Sequence, residues 1–394
     1  MSKGTILYVG GFELPDKNAA AHRVLNNGKI FRELGYNVVF VDVDKSLQYD
    51  SDILTTKKVV QEFECWSVAY PKRTCEWISY LSSINYLSQI DKNYKDIKLI
   101  IAYNYPSIAL YNLKKYGNRN DIKVMADCTE WYSTKGSNIV FKVVKGLDSF
   151  YRMRVIQKKL DGLIVISKYL ENYYRDSRNV VRIPPLVDIN EEKWTTGKKK
   201  LKDRSGDWLS LVYSGSPGKN KDKIVNIIDA LYALRELNKY QMSIIGLSKD
   251  EFIEAYPNHK KKIDELGKRV SFVGRVSHED SIKELKNADY SIFIRDKSRV
   301  TMAGFPTKFV ERITCSTPVI TSDSSDIKEY FYDESNGFLI KDSTVKELIK
   351  SLRLIFEKES HARRTYNKIN NEVFHYTQYK EVVEVVLERL LNIQ

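Results

Sequence analysis

The chain has 394 residues, of which 42% are hydrophobic and 29% charged, with a formal net charge of +13. This length suits two or three domains, and this composition excludes long disordered stretches. The four cysteines form no CxxC pair, which argues against a disulfide framework and a structural zinc site and favours a reducing, cytoplasmic location. The positive charge implies an anionic partner such as a phosphorylated small molecule, anionic lipid or nucleic acid.

The first residues, MSKGTILYVGG, indicate a strand rather than a signal peptide, because they contain one lysine and no A-x-A pattern. No window of 18 apolar residues occurs, so we expect no transmembrane helix. Peripheral attachment at the inner face of the cell membrane stays open.

The first half of the chain alternates strand-like and helix-length segments. The strand-like runs are TILYVGG, NVVFVDV, IKLIIAYN, IKVMADC and GLIVIS, and the first amphipathic helix is predicted over residues 19–34. Unbroken apolar runs are typical of parallel strands that are covered on both faces. Residues 1–190 are therefore predicted to form a doubly wound α/β domain.

The same alternation returns in residues 209–375, after a polar stretch at 191–208 that we expect to be an interdomain linker. A final amphipathic helix over about 376–394 is expected to pack back on the first domain. The predicted fold class is α/β, with two Rossmann-like doubly wound domains facing a central cleft. Such domains hold ligands at the carboxyl ends of their strands.

The loop after the first strand contains Gly10 and Gly11, which allow close approach of the backbone to a ligand. It is not a GxGxxG fingerprint, so a tight turn without a ligand role is the alternative. His22 and Arg23 open the following helix and are candidates to face the cleft. For Arg23, a surface position or an ion pair is the alternative.

The turn YSGSPGKNKD at residues 213–222 lies between a strand and a helix. Gly215 and Ser216 expose backbone N–H groups, and Lys221 behind them can neutralise a diphosphate. The turn lacks the Walker A spacing, and a solvated loop is the alternative.

A helix N-terminus is predicted at Pro306 and Thr307, after Gly304, where free N–H groups and the helix dipole favour a phosphate. Glu311, four residues into this helix, can accept hydrogen bonds from a ribose hydroxyl pair. The alternative is a solvated Glu311 paired with Lys308 or Arg312.

Residues 304–340 resemble the donor-binding signature of family 4 of the retaining glycosyltransferases, with FPTKFVE, TPVITS and SNGFLI in the family's order. YSGSPGKNKD is similar to the family's glycine-rich turn, with Lys221 at the position of its diphosphate lysine. GLIVISKYL and IPPLVD resemble the end of the family's first domain. The resemblance implies the glycosyltransferase-B (GT-B) fold and a donor site that includes Phe305.

Two positions depart from the family pattern. Ala303 stands where the family has the first of two glutamates, and Ser216 replaces a basic residue of the glycine-rich turn. We expect Arg295 or Lys308 to supply the missing charge.

The resemblance implies an enzyme that moves a sugar from a nucleotide sugar to a glycan acceptor in bacterial capsule, O-antigen or exopolysaccharide synthesis, and we expect this acceptor to be lipid-linked. Lys221 and the helix at Thr307 would stabilise the leaving diphosphate, so we expect no metal and no cofactor. Asp42-Val43-Asp44 has DxD spacing, but its place at a strand end favours a structural role.

The family commonly carries a histidine after the strand IKVMADC, and Asp127 and Glu130 stand near that position here. They are candidates to bind acceptor hydroxyls, with turn capping as the alternative for Asp127. Trp131 can offer a flat surface to a sugar ring or can be a core aromatic.

Two other functions are alternatives. A sugar-nucleotide 2-epimerase shares the fold but needs no second sugar site. A nucleic-acid-binding protein would suit the charge, but no RNA or DNA motif is present, so we expect no nucleic-acid partner.

Residues 139–160 predict an amphipathic helix suited to anionic lipid. Its apolar stripe is Val140, Val144, Leu147 and Tyr151, and its basic stripe is Lys145, Arg152 and Lys159. Packing on the sheet with a solvated basic edge is the alternative.

Overall fold

The computed structural model describes residues 2–131, 139–195, 208–217, 221–236, 240–331, 336–361 and 369–392, with side chains omitted at 139–142 and 358–361. The chain divides into two compact units, Met1–Val187 with His375–Gln394, and Asp188–Phe374. Each unit is a mainly parallel sheet with helices, which confirms the predicted α/β class.

The first unit alternates strands and helices along the chain. Its strands are Thr5–Gly10 (β1), Asn37–Asp44 (β2), Lys58–Val60 (β3), Phe63–Ala69 (β4), Ile97–Tyr103 (β5), Lys123–Cys128 (β6), Gly162–Val165 (β7) and Val180–Arg182 (β8). Its helices before the second unit are Ala19–Glu33 (α1), Thr74–Ser82 (α2), Leu87–Ile90 (α3), Ser107–Arg119 (α4), Ile139–Tyr151 (α5) and Lys168–Tyr173 (α6).

In the described part of this unit the sheet has eight strands in the order β3-β4-β2-β1-β5-β6-β7-β8. All neighbouring strands are parallel except β3, which runs antiparallel to β4 at one edge. All six residues of the near-central β1 are buried, as its unbroken apolar sequence predicts. The carboxyl ends of β1, β5 and β6 are therefore neighbours.

The second unit repeats this plan. Its strands are Leu209–Ser214 (β9), Tyr240–Ile245 (β10), Val270–Gly274 (β11), Tyr290–Phe293 (β12), Val319–Ser322 (β13) and Gly337–Ile340 (β14). Its helices are Glu192–Thr195 (α7), Ile224–Leu234 (α8), Lys249–Ala255 (α9), Lys260–Leu266 (α10), His278–Asn287 (α11), Arg299–Ala303 (α12), Thr307–Thr314 (α13) and Val345–His361 (α14).

Within the ranges described, the second sheet has six strands in the order β11-β10-β9-β12-β13-β14, all parallel. The order reverses direction beside β9, which is where doubly wound sheets bind ligands. The glycine-rich turn follows β9, so the sequence motif lies at this point.

The start of the predicted linker packs on the second unit. Lys286 donates a hydrogen bond to the carbonyl oxygen of Trp194 at 2.8 Å, and Trp194 lies against the apolar cluster under α11. Most of the remaining predicted linker, residues 196–207, lies outside the described residues.

The chain ends on the first unit with the helix Lys380–Leu391 (α15). Its apolar stripe joins the core that contains α1, and its buried members are Val383, Val386, Leu387 and Leu390. Just before α15, Tyr376 donates a hydrogen bond to the Glu33 carboxylate at 2.6 Å. Among the helices described, none is long and apolar enough to cross a membrane.

Candidate functional site

Three glycines shape the carboxyl edge of the second sheet. Gly215, Gly246 and Gly274 end or follow β9, β10 and β11 with φ angles of +110°, +92° and +75°. L-residues rarely adopt these angles, so glycine suits these turns. The Gly215 N–H donates to Ile245 O at 3.0 Å, and the Gly246 N–H donates to Gly274 O at 2.7 Å. The turns after three adjacent strands are therefore joined by backbone hydrogen bonds, and each has a glycine without a side chain at this edge.

Gly215 also makes room for the side chain of Lys308. A Cβ atom on residue 215 would lie 2.6 Å from Lys308 Cε, well inside van der Waals contact. Lys308 thereby crosses the turn and donates a hydrogen bond to the carbonyl oxygen of Ser216 at 3.1 Å. The glycine-rich turn and the FPTKFVE segment, about ninety residues apart in sequence, form one site.

A buried carboxylate joins the cations of this site. Lys308 Nζ donates to Asp222 Oδ2, Arg295 Nε donates to Oδ1 at 2.7 Å, and the Tyr213 hydroxyl donates to Oδ2 at 2.8 Å. The Asp222 side chain is 1% exposed, and those of Lys308 and Arg295 are 12% and 13% exposed. We call these four residues, Tyr213, Asp222, Arg295 and Lys308, the Asp222 cluster.

Burial and charge act together on this cluster. Burial lowers the pKa of Lys308 to about 8, although Asp222 opposes the effect. Burial alone would raise the pKa of Asp222, but Arg295 and Lys308 bring it below its ordinary value. One carboxylate thus faces two cations, and the excess positive charge suits an anion such as a diphosphate.

Lys221 is exposed beside this cluster. The segment that follows it crosses the carboxyl end of β12, since the Lys223 N–H donates to Ile294 O at 2.8 Å and Asp222 forms an antiparallel bridge with Arg295. The turn residues 218–220 lie outside the described part of the chain.

The predicted helix start is present as α13. Gly304 caps the end of α12, and Pro306 precedes the first residue of α13, Thr307, with no side-chain cap hydrogen bond. Phe305 is buried and its ring packs against Phe309 at 6.3 Å between centroids. Ala303, which stands where the family has a glutamate, is fully buried at the end of α12.

Glu311 contacts a cationic side chain, Arg312, and a histidine, His278. Its Oε2 is 3.3 Å from Arg312 Nη1, and its Oε1 is 3.5 Å from His278 Nε2. Arg312 is fully buried and donates to Ser214 O at 2.9 Å, so it holds α13 against the end of β9. The sequence offered Lys308 or Arg312 as the partner of Glu311. In the structure Glu311 pairs with Arg312, and Lys308 binds Asp222.

Arg23 and Asp127 form a buried ion pair in the first unit. Arg23 Nη2 is 2.7 Å from Asp127 Oδ1, and the two side chains are 3% and 0% exposed. The Tyr8 hydroxyl donates to Asp127 Oδ2 at 2.5 Å, and Arg23 Nη1 donates to Ile183 O at 2.9 Å. This arrangement favours the ion-pair alternative for Arg23 and a structural role for Asp127, because neither side chain reaches solvent.

The other candidates of the first unit lie on the carboxyl side of β1 and β6. Gly10 packs tightly on β5, since an added Cβ would lie 2.9 Å from Tyr103 Cβ, whereas Gly11 is exposed. Glu130 is half-buried. Trp131 is also half-buried and makes an edge contact with Tyr173 at 5.1 Å between ring centroids.

His22 is half-buried on the first turn of α1, next to Arg23. Asp42 accepts hydrogen bonds from the backbone N–H groups of Phe12, Glu13 and Leu14 at 2.9, 2.9 and 2.7 Å. It therefore fixes the loop after β1, which is the structural role expected for the DxD spacing. Over the residues that the structure describes, no three His, Cys, Asp or Glu side chains group as metal ligands would.

Sequence inspection missed Tyr213, Asp222 and His278. Asp222 directly follows Lys221 in the glycine-rich turn, and this adjacency was the available signal. His278 carries no motif, and only the packing of α11 beside α13 brings it to Glu311.

Residues 199–372 match the family described as glycosyl transferases group 1, and this range lies within the second unit. An uncharacterized glycosyltransferase of Methanocaldococcus jannaschii is 23% identical over 249 residues, which are 61% of this chain and 61% of that protein. The match thus spans less than two thirds of that relative's length.

Solved glycosyltransferase structures share the fold along the whole chain. Sucrose-phosphate synthase from Thermosynechococcus elongatus superposes with a TM-score of 0.71 at 15% identity and covers 100% of both chains. HepE from Anabaena, solved with UDP and glucose, superposes with a TM-score of 0.63 at 14% identity, covering 98% of this chain and 100% of that one. The chain therefore has the GT-B fold, and residues 199–372 of its second unit are similar to the group 1 glycosyltransferases.

Proposed function

We propose that the protein is a retaining glycosyltransferase that moves a sugar from a nucleotide sugar to a glycan acceptor in bacterial capsule, O-antigen or exopolysaccharide synthesis. One observation carries this proposal. Two cations of the Asp222 cluster bind one buried carboxylate at the carboxyl edge of the sheet in the region that matches group 1 glycosyltransferases, and the exposed Lys221 precedes Asp222 in the chain.

The diphosphate of the donor would bind to Lys221, Arg295 and Lys308. Breaking the bond between the anomeric carbon and the diphosphate puts growing negative charge on the leaving group, and fixed cations stabilise that charge. Glu311, 25% exposed beside Arg312, would accept the ribose hydroxyls. The chemistry needs no metal, because the three cations supply the stabilisation that a metal would give.

The acceptor would bind to groups of the first unit. Glu130 and His22 have carboxylate and imidazole groups for its hydroxyls, and Trp131 has an apolar ring face. Retention follows if the leaving phosphate takes the proton of the acceptor hydroxyl as that hydroxyl attacks from the same face. Such a step needs no protein base beside the sugar.

A transfer assay with radiolabelled nucleotide sugars tests the proposal against its alternative, the 2-epimerase. We expect label to move to a lipid-linked glycan acceptor and a nucleoside diphosphate to be released, with the anomeric configuration kept in the product NMR spectrum. Conversion of a nucleotide sugar to its C2 epimer without an acceptor would favour the epimerase. No turnover of any nucleotide sugar would contradict both enzymes.

The acceptor is proposed to be lipid-linked because helix α5 has an exposed apolar face. Its exposed members are between 49% and 57% accessible, and they are Val143, Val144, Leu147, Phe150 and Tyr151. Arg154 lies beside this face, with its guanidinium 5.1 Å from the centre of the Phe150 ring, and Lys158 is exposed one turn further on. Apolar and basic side chains side by side suit an anionic bilayer surface.

One member of the predicted basic stripe is placed elsewhere. Arg152 is buried, 3.8 Å from Asp148 and 3.4 Å from the carbonyl oxygen of Asn104. The prediction that it faces lipid was wrong, because Arg152 and Asp148 lie on the side of the helix that packs against the segment after β5, where the Ser107 N–H donates to Asp148 Oδ1 at 2.7 Å. Val140 lies outside the described side chains.

We expect the protein to sediment with phosphatidylglycerol vesicles at low salt and to stay in the supernatant with phosphatidylcholine vesicles. Two basic residues contribute about 1 kcal/mol each near an anionic surface, so Arg154→Glu with Lys158→Glu should weaken binding by roughly 30-fold or more. The matched control is Lys260→Glu with Lys261→Glu on α10, which changes the net charge equally and should bind like wild type. Equal loss in both double variants, or no wild-type binding, would favour an acceptor free in solution.

A further inference from the structure

The Asp222 cluster contains a carboxylate at a place where an anionic ligand is expected. A negative charge there weakens anion binding unless it serves another purpose. We propose that Asp222 is a positioning residue that keeps the Lys308 ammonium protonated and aimed at the diphosphate of the donor. This inference rests on the proposed function, because the diphosphate is its ligand.

The backbone fixes Asp222 before any ligand arrives. The Asp222 N–H donates to Pro217 O at 3.1 Å, and the next N–H, of Lys223, donates to Ile294 O at 2.8 Å. Asp222 therefore has little freedom to follow the lysine. The position of the Lys308 ammonium is instead set by its hydrogen bond to Asp222.

All three N–H donors of the Lys308 ammonium have acceptors. They meet Asp222 Oδ2, the Tyr213 hydroxyl at 2.7 Å and the Ser216 carbonyl oxygen at 3.1 Å. The Ser216 carbonyl is the exposed acceptor of the three. A phosphate oxygen can replace this carbonyl while Asp222 and Tyr213 keep the ammonium in place, so the site offers one aimed N–H to the ligand.

Charge explains why the carboxylate is needed. The charged or titratable groups around Lys308 are Tyr213, Asp222, Arg295 and Arg312. Glu311, the acid of α13, contacts Arg312 and His278. Without Asp222, the Lys308 ammonium would face the cations of Arg295 and Arg312 with no counter-charge. Lysine would lose its proton first, because a guanidinium stays charged in proteins.

The burial of Lys308 gives this inference a pH readout. Its pKa is lowered to about 8, so wild-type affinity for a nucleoside diphosphate should be nearly constant between pH 7 and pH 8, where the nucleotide phosphates stay ionised, and fall up to tenfold per pH unit above about pH 8. Asp222→Asn removes the charge at nearly constant shape. Loss of an opposite charge at contact distance should move this midpoint down by roughly 1–3 pH units.

The experiment is calorimetric titration of the full chain with UDP, ADP and GDP between pH 7 and pH 9, above the range in which the nucleotide phosphates titrate. The Asp222→Asn variant should already lose affinity between pH 7 and pH 8, where wild type stays nearly constant. At pH 8 it should bind roughly fivefold or more weakly than wild type. Lys308→Arg is the matched control, and its profile should be flat because arginine does not titrate in this range.

Several outcomes would overturn the inference. An Asp222→Asn profile parallel to wild type, whether at equal or at uniformly lower affinity, would show a purely structural residue. If that variant does not fold, Tyr213→Phe replaces it, since losing the hydroxyl between Asp222 and Lys308 should move the midpoint in the same direction. Absence of nucleotide binding by wild type at every pH would reject the proposed function itself, and this inference with it.

Discussion

Replacing Lys221 by alanine should lower sugar transfer by roughly 100-fold or more, as removal of one preorganised donor does in other active sites. Lys221 is exposed next to the Asp222 cluster, so its ammonium can approach the leaving diphosphate. The negative charge on that group is larger in the transition state than in the bound donor, so kcat should fall more than donor affinity.

Initial rates of transfer and urea unfolding of the same preparations check this prediction. Because Lys221 is exposed, the free energy of unfolding should stay within about 0.5 kcal/mol of wild type. Lys346→Ala, an exposed lysine on α14, is the matched control and should keep full activity. Near-normal transfer by the Lys221→Ala variant would remove Lys221 from the site.

Asp127→Asn should destabilise the protein by about 3–5 kcal/mol, the usual effect of leaving one partner of a buried ion pair without its counter-charge. Arg23 would then be a buried cation that still donates to the carbonyl oxygens of Ile183 and Pro184 but faces no carboxylate at position 127. Burial disfavours the charged guanidinium, and Asp127 raises the pKa of Arg23 above its ordinary value despite it.

Urea unfolding measures this effect, and the double variant Arg23→Met with Asp127→Asn separates its causes. The double variant should recover part of the lost stability, because it removes the unpaired cation while the amide can still accept the Tyr8 hydrogen bond. If Asp127→Asn keeps wild-type stability but loses transfer, Asp127 acts on the acceptor rather than on the fold.

Local sequence determined the elements and the position of the donor motif. The unbroken apolar runs that became β1, β5 and β9 predict buried parallel strands, since both faces of such strands lie in the core. The helix α1 begins one residue after Asn18, whose side chain caps it, as the predicted start at residue 19 requires. Gly215 and the Pro306-Thr307 pair mark the turn and helix start that meet at the site. Apolar runs, helix caps and turn glycines act through the conformation of a few consecutive residues, so they can be recognised in the sequence without knowledge of the tertiary structure.

Only the tertiary structure decided which charged groups meet. Arg23 pairs with Asp127 across 104 residues, and Asp222 pairs with Arg295 across 73. Such pairs depend on strand order, which brings β1 beside β5 and β9 beside β12, and no local pattern encodes that order. The partner of helix α15 was likewise decided by the tertiary structure. Its apolar stripe predicts a helix that needs a partner, but its burial against α1 is a property of the assembled core.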